Sequence, residues 1–227
     1  MALDADWAER WVRRTADALA DAKDELTELD RQIGDGDHGE NMDRGFKAVV
    51  ARLDDAAANP GPDGERTVGD VLKLVATTLM STVGGASGPL YGTAYLRAAK
   101  VSGRPQIDPP AVVAVLEAAL EGVSSRGKAT VGEKTMVDAW YAAVEAAEAT
   151  ASGGGSEVDV LRVAAEAADT AATGTIPLVA TKGRASYLGE RSAGHEDPGA
   201  RSTALVLGAA LAAALTGPTS TDPRGAA

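Results

Sequence analysis

Residues 7–30 read WAERWVRRTADALADAKDELTELD, and the spacing of their apolar positions decides the fold class. Trp7, Trp11, Thr15, Ala18, Ala22, Leu26 and Leu29 follow one another at steps of four and three, the inward stripe of a long amphipathic helix. That helix is predicted to end near Asp30. A second stripe, Met42, Phe46, Val49 and Leu53, begins soon after it. The intervening Ile33–Gly39, IGDGDHG, therefore links two helices and abuts the N-terminus of the second.

Helical spacing continues along the chain. Thr67-Val-Gly-Asp70 has the spacing of a capping box, with Asp in place of Glu, and opens a helix to about Val83. Gly84–Gly88, GGASG, breaks it, and Pro89 suits the first turn of the next helix. Asp108, followed by Pro109 and Pro110, starts a helix carrying Val112, Val115, Leu116 and Val123; residues 124–134 read as a glycine-bearing loop. A further helix from about Thr135 holds Trp140 and Val144. The stretch SGGGS at 152–156 is a surface loop within one domain, because helical spacing resumes at Val158, Leu161, Ala165 and Ala168. An apolar patch at 175–179 leads into a polar run, and a last helix covers about 200–216. Asn59-Pro-Gly-Pro62 reads as a loop and residues 217–227 as a disordered tail. No period-two strand and no repeat is visible. The expectation is a single all-α domain over 1–216, a bundle of about eight helices. One Phe and abundant Ala suggest helices that approach closely.

Composition narrows the function. A net charge of -11 argues against general binding to nucleic acid or an anionic membrane, unless metal ions intervene. With no cysteine there is neither a disulfide framework nor a thiolate metal site. The N-terminal MALDADWAERWVRR lacks a signal-peptide pattern, and no apolar run approaches the roughly 20 residues of a membrane span, so a cytoplasmic protein is expected.

Against that background three clusters carry chemistry. Asp30, Asp35 and Asp37 are hard oxygen donors at a helix junction, suited to Mg²⁺ or Ca²⁺ rather than zinc. By residue type alone the motif fits better with Asp30 as a helix cap and the other two in a solvated turn. An EF-hand starting at Asp35 fails, because its sixth and twelfth positions hold Glu40 and Phe46. Gly84–Gly88 lets backbone N–H groups approach an anion at a helix start, or simply connects two helices; no Gly-Lys-Ser/Thr closes it as a Walker A loop. Lys182, Arg184 and Arg191, near His195 and Asp197-Pro198-Gly199, concentrate cations that can hold phosphate oxygens or lie on the surface.

Taken in order, LDRQIGDGDHGENMDRGFKAV, STVGGASGPLYGTAYLRAA, SRGKATVGEKTMVDAW and TKGRASYLGERSAGHEDPGA closely resemble the nucleotide-binding L subunit of dihydroxyacetone kinases, the DhaL family, and the equivalent domain of single-chain ATP-dependent kinases. The resemblance runs from about residue 7 to 216. A related helical domain of fatty-acid kinases has the turn PDGDTGTNM, where His38 here replaces Thr. The resemblance implies a barrel of eight antiparallel helices with nucleotide bound by loops at one end. It implies that Asp30, Asp35 and Asp37 hold two Mg²⁺ ions bridging the phosphates of ADP (tightly bound) or ATP. His38, Gly39, Glu40 and Asn41 correspond to the adjoining nucleotide site, with His38 a phosphate donor rather than a phosphocarrier. Ala86 and Ser87 match the phosphate-contacting loop, Gly127 and Met136 positions near adenine, and Arg184, Asp197, Pro198 and Gly199 the rest of the site. Leu90 and Thr135 read as structural, and Glu133, where the family has Asp, carries no assigned role.

The resemblance also implies a kinase subunit that is inactive alone. Its acceptor sits on a separate sugar-binding, DhaK-like subunit, and the bound ADP is recharged by a phosphohistidine, DhaM-like protein of the phosphoenolpyruvate phosphotransferase system. Alternatives are ATP exchange, an ADP-dependent regulatory module acting through a protein partner, and a Mg²⁺-dependent phosphohydrolase. No direct nucleic-acid or membrane contact is expected.

Overall fold

A computed structural model describes residues 2–58 and 66–216; the expected loop at 59–62 and tail at 217–227 lie outside the described residues. The leading stripe forms two helices rather than one, α1 (Ala5–Asp21) and α2 (Lys23–Ile33), separated at Ala22, whose φ of -88° and ψ of 6° leave the helical range. The buried face of α1 is Trp7, Ala8, Trp11, Val12, Thr15, Ala16 and Leu19, so the stripe is wider than the four-and-three reading. The helices α3 (His38–Ala58), α4 (Val68–Thr82) and α5 (Ser87–Val101) follow, then α6 (Pro109–Gly127), α7 (Met136–Ser152), α8 (Glu157–Gly174) and α9 (Pro198–Leu215). The predicted capping box at Thr67 and Asp70 is present, as are side-chain caps by Asp108 and Asp197. Residues 124–127, expected in a loop, extend α6 by a turn.

Helices joined by short connections must run antiparallel. In the order α1, α3, α4, α5, α6, α7, α8, α9 each packs on the next, and α9 returns to α1, which closes a ring of eight around the apolar core. The break at Ala22 frees α2 to lean on α3 outside the ring. Close packing is bought with small residues: a Cβ on Gly122 of α6 would stand 2.9 Å from the Thr93 carbonyl of α5.

The closing contact between α1 and α9 has a specific chemistry. The Trp7 indole N–H donates to the Ala210 carbonyl at 3.1 Å and that of Trp11 to the Val206 carbonyl at 2.8 Å. Both pairs are four residues apart and run in opposite senses, so one helical turn of α1 reads one turn of α9. Next to them Leu3–Asp4 (β1) pairs antiparallel with Gln106–Ile107 (β2), with Leu3 opposite Ile107. Two residues are too few for a period-two pattern, and the ladder was not expected. Among the described residues α9 alone has the length and mean hydropathy (1.3) of a membrane span, against the expectation of none; 61% of it is buried in the fold.

Alternation along the ring sends every second connection to one end: 34–37, 83–86, 128–135 and 175–197. The last is long, and Lys134 ties its neck. Its side chain is 1% exposed, and Nζ donates to the carbonyls of Thr175 at 2.6 Å and Ile176 at 3.4 Å and to that of His195. Desolvation lowers its pKa, while Asp197, Asp138 and Glu196 oppose that shift. Glu133 adds a second tie: its carbonyl accepts from the Thr181 amide and its carboxylate from the Thr181 hydroxyl. Within the loop, Arg184–Ser192 forms a 3₁₀ segment kinked at Gly189, whose φ is 56°.

Two stability predictions follow from these contacts. Trp11→Ala removes a buried aromatic and its ring-closing bond and should cost about 3–5 kcal/mol, whereas Trp11→Phe should cost about 1–2 kcal/mol. Lys134→Met keeps the apolar stem but strips the donor from buried carbonyls and should cost about 1–3 kcal/mol. Urea unfolding followed by circular dichroism measures both.

Candidate functional site

The acidic turn is organised by Asp30, at the last turn of α2. Its Oδ2 accepts from the backbone N–H of Asp37 at 2.8 Å and of His38 at 3.1 Å, so it caps α3 across the turn. Its Oδ1 lies against Gly34, where a Cβ would stand 2.1 Å away. Gly36, at φ 74°, reverses the chain. The result brings ligand oxygens of buried Asp30 and exposed Asp35 and Asp37 within 4.8 Å of one another. Three carboxylates so close suit a hard divalent cation. Arg184 reaches over from the long loop to pair with Asp35 at 3.1 Å.

His38, the first residue of α3, is buried. Its Nδ1 lies 3.0 Å from Ser87 Oγ and its Nε2 2.9 Å from Ser202 Oγ. Burial pushes its pKa down to about 4, against the opposing pull of Asp30 and Asp37, so the ring is neutral at pH 7. Asp197 is also buried; its carboxylate caps α9 through the Ala200 amide at 2.8 Å, and burial pushes its pKa up to about 7.

These groups line a polar compartment of about 180 Å³, which opens beside an apolar one of about 380 Å³. Asp30, Asp35, Asp37, His38, Ser87 and Arg184 face the first; Pro89, Val123, Ala129 and Val137, with Gly127, face the second. Ala86, Leu90, Thr135 and Met136 lie between and line both. The alternating topology starts α3, α5, α7 and α9 all at this end, so four positive helix termini face the carboxylates. The arrangement can hold a divalent cation, an anion bridging it to N–H groups and cations, and a flat apolar ring in the slot behind.

Of the residues singled out from the sequence, Asp30, Asp35, Asp37, His38, Ala86, Ser87, Arg184, Asp197, Pro198 and Gly199 come together around the polar compartment, and Gly127 and Met136 around the apolar one. Gly39, Glu40, Asn41, Arg191 and His195 lie outside both. A Cβ on Gly39 would stand 2.0 Å from the Lys23 carbonyl, so that glycine lets α3 pack on α2. Glu40 is exposed, and Asn41 is buried next to Gly84 and bonded to Arg44. Leu90 and Thr135, read as structural, line the cavity. Lys182, one of the cations singled out for phosphate, lines it, and so does Lys134, which the sequence did not single out; the left-handed backbone of Lys134, at φ 61°, has no signal in a single sequence.

Comparison with known proteins fits this geometry. The family model for the DAK2 domain matches residues 32–212. The chain is 42% identical over 208 residues to the ADP-binding subunit DhaL of the PEP-dependent dihydroxyacetone kinase of Escherichia coli (strain K12), covering 91% of this chain and 96% of that protein. It is 44% identical over 211 residues to the corresponding subunit of kinase 1 of Listeria innocua, covering 93% and 98%. Human triokinase/FMN cyclase is 33% identical over 88% of this chain but only 34% of its own length. The crystal structure of the dihydroxyacetone kinase of C. freundii shares the fold, with a TM-score of 0.65 at 24% identity over 89% of this chain and 33% of that one. With a domain match over most of its length and relatives aligned nearly end to end, this chain belongs to the DAK2 family, in the branch of the dihydroxyacetone kinase L subunits.

Proposed function

We propose that this chain is the nucleotide-carrying, phosphoryl-transferring subunit of a dihydroxyacetone kinase. The observation that carries the proposal is the two-compartment cleft, with an acidic turn, an arginine and four helix N-termini at one end and an apolar slot behind. A nucleoside diphosphate has matching parts. In this reading Asp30, Asp35 and Asp37 hold two Mg²⁺ ions, and His38, Ser87, Arg184 and the Asp197–Gly199 turn surround the phosphates. The adenine lies against Gly127, Leu90 and Met136. Bound there, Mg²⁺ supplies neutralisation of phosphate charge during transfer. Asp30 fixes the turn through its two amide bonds, so the carboxylates need no rearrangement to converge. Arg184, paired with Asp35, gives the turn a counter-charge and stands ready to turn to a phosphate oxygen. The apolar slot excludes water from one flank of the nucleotide.

The relatives aligned over 96% and 98% of their own length are named ADP-binding subunits, which supports an acceptor site on a separate, DhaK-like subunit. The relatives that align nearly end to end are named PEP-dependent. That favours a tightly held ADP recharged in place by a DhaM-like phosphohistidine protein; ATP exchange, as the likeness to triokinases suggests, is the second reading.

Two measurements test the proposal. Mg²⁺ with ADP should raise the melting temperature, by about 2.7 kcal/mol of added stability at a hundredfold excess over Kd, and EDTA should reverse the rise. The double variant Asp35→Asn, Asp37→Asn should stay folded and show neither effect; equal ADP binding by variant and wild type refutes the site. In a coupled assay the purified chain with ATP should not phosphorylate dihydroxyacetone, and turnover should appear on adding a DhaK-like subunit. Robust turnover without one contradicts the division of labour.

A further inference from the structure

The long loop between α8 and α9 is held at two places of opposite character. Its neck is fixed from inside, where the buried Lys134 ammonium donates to the carbonyls of Thr175, Ile176 and His195. Nearer the cleft it is held from outside, by Glu133. The Glu133 carbonyl accepts the Thr181 amide at 3.3 Å, Oε1 accepts the Thr181 hydroxyl at 3.0 Å, and Oε2 accepts the Thr130 amide at 2.7 Å. Thr181 is exposed and Glu133 half-buried. A hydrogen bond open to solvent is replaced by water at little cost, whereas a buried carbonyl deprived of its donor stays unsatisfied. The neck is therefore permanent and the outer contact releasable.

The outer contact spans the cleft. Thr130 and Glu133 belong to the connection before α7, whose Ala129 and Thr135 line the apolar slot. Thr181 immediately precedes Lys182 and Gly183, the residues of the long loop that line both the slot and the polar compartment. On either side of them the loop is braced. The Ala180 amide donates to Ser192 Oγ at 2.8 Å, and Ala180 and Ala185 pack on Ile33 of α2. Residues 181–184 are thus a short span between two fixed points, with Gly183 at φ 66° inside it. Glu133, together with the exposed Arg184–Asp35 pair, is what holds that span against the cleft. Neither Glu133 nor Thr181 lines either compartment.

We propose that Glu133 and Thr181 are positioning residues that form a releasable clasp: closed, it holds Lys182 and Gly183 across the junction of the two compartments, and open, it lets a nucleotide in or out. The inference rests on the nucleotide reading of the cleft for the identity of the ligand, while the clasp is a property of the chain itself. It deepens that reading, because a nucleotide recharged in place has to outlast many transfers and one exchanged as ATP has to leave after each, so the clasp sets which mode the cleft supports. The contact is closed with the cleft empty, so weakening it raises the open fraction for entry and exit alike. Both rates then rise by the same factor and Kd stays where it was. A lost ligand contact acts differently, since it speeds release alone.

The test times the uptake of ³²P-labelled ADP, and its release into excess unlabelled ADP, by rapid filtration in Mg²⁺ for wild type, Thr181→Val and Thr181→Ser. Thr181→Val removes the hydroxyl at nearly constant shape and should speed both uptake and release about threefold to tenfold, the range of one solvent-exposed hydrogen bond, with Kd held within about twofold. Thr181→Ser keeps the hydroxyl and should behave as wild type. Unchanged rates in Thr181→Val, faster release with unaltered uptake, or a Thr181→Ser protein as fast as Thr181→Val would each overturn the clasp. If wild type failed to bind labelled ADP at all, the nucleotide reading would fall, and amide hydrogen exchange of the ligand-free protein would decide the clasp by itself. Faster exchange at residues 182–184 in Thr181→Val upholds it, and unchanged exchange there overturns it.

Discussion

The ring depends on its closure, where α1 packs along α9 and two indole hydrogen bonds set the register. Trp7 and Trp11 lie near the start of the chain, and the carbonyls they bond, those of Ala210 and Val206, lie in the middle and second half of α9. Bringing such distant segments together costs loop entropy, which only a large buried contact offsets. Once α9 is set against α1, the start of α9 and the loop before it are set against α2 and α3. Arg184 then meets Asp35, and Ser202 meets His38. Were α9 to slip by a turn, about 5.4 Å along its axis, both contacts would be lost.

The same topology settles the electrostatics. Three carboxylates at one turn repel one another, and the chain as a whole is acidic. An up-and-down ring starts every second helix at the same end, so the turn faces four helix N-termini and a loop rich in cations. The acidic turn and these positive groups together make a place for a cation and an anion bound side by side. That is the physical requirement for a metal-bridged polyphosphate in a protein of net charge -11.

Where the sequence reading and the structure differ, packing explains the difference. Gly39 sits in the middle of the most distinctive motif, yet its missing Cβ serves the approach of α3 to α2. Glu40 follows it on the outward face, as helical geometry requires once His38 points in. Leu90 and Thr135 are unremarkable as residue types but border the compartments because α5 and α7 begin there. Lys134 looks like one more surface lysine, and only the carbonyls of residues 175, 176 and 195 around it reveal its role in tying the long loop.

By itself the sequence determined the helical class, most helix starts, the turn that gathers the three aspartates, and the family. All are local: a stripe every three or four residues, a capping side chain three residues ahead, and glycines and aspartates within one turn are set by neighbours along the chain. Tertiary structure alone decided the break at Ala22, a good helix former that yields so that α2 can pack on α3. It also decided the β1–β2 ladder, the ring closure, and the meeting of His38 with Ser87 and Ser202, 49 and 164 residues away along the chain. Such contacts leave no periodicity, because they are fixed by which helix faces pack together and at what register, a property of the whole core rather than of any segment.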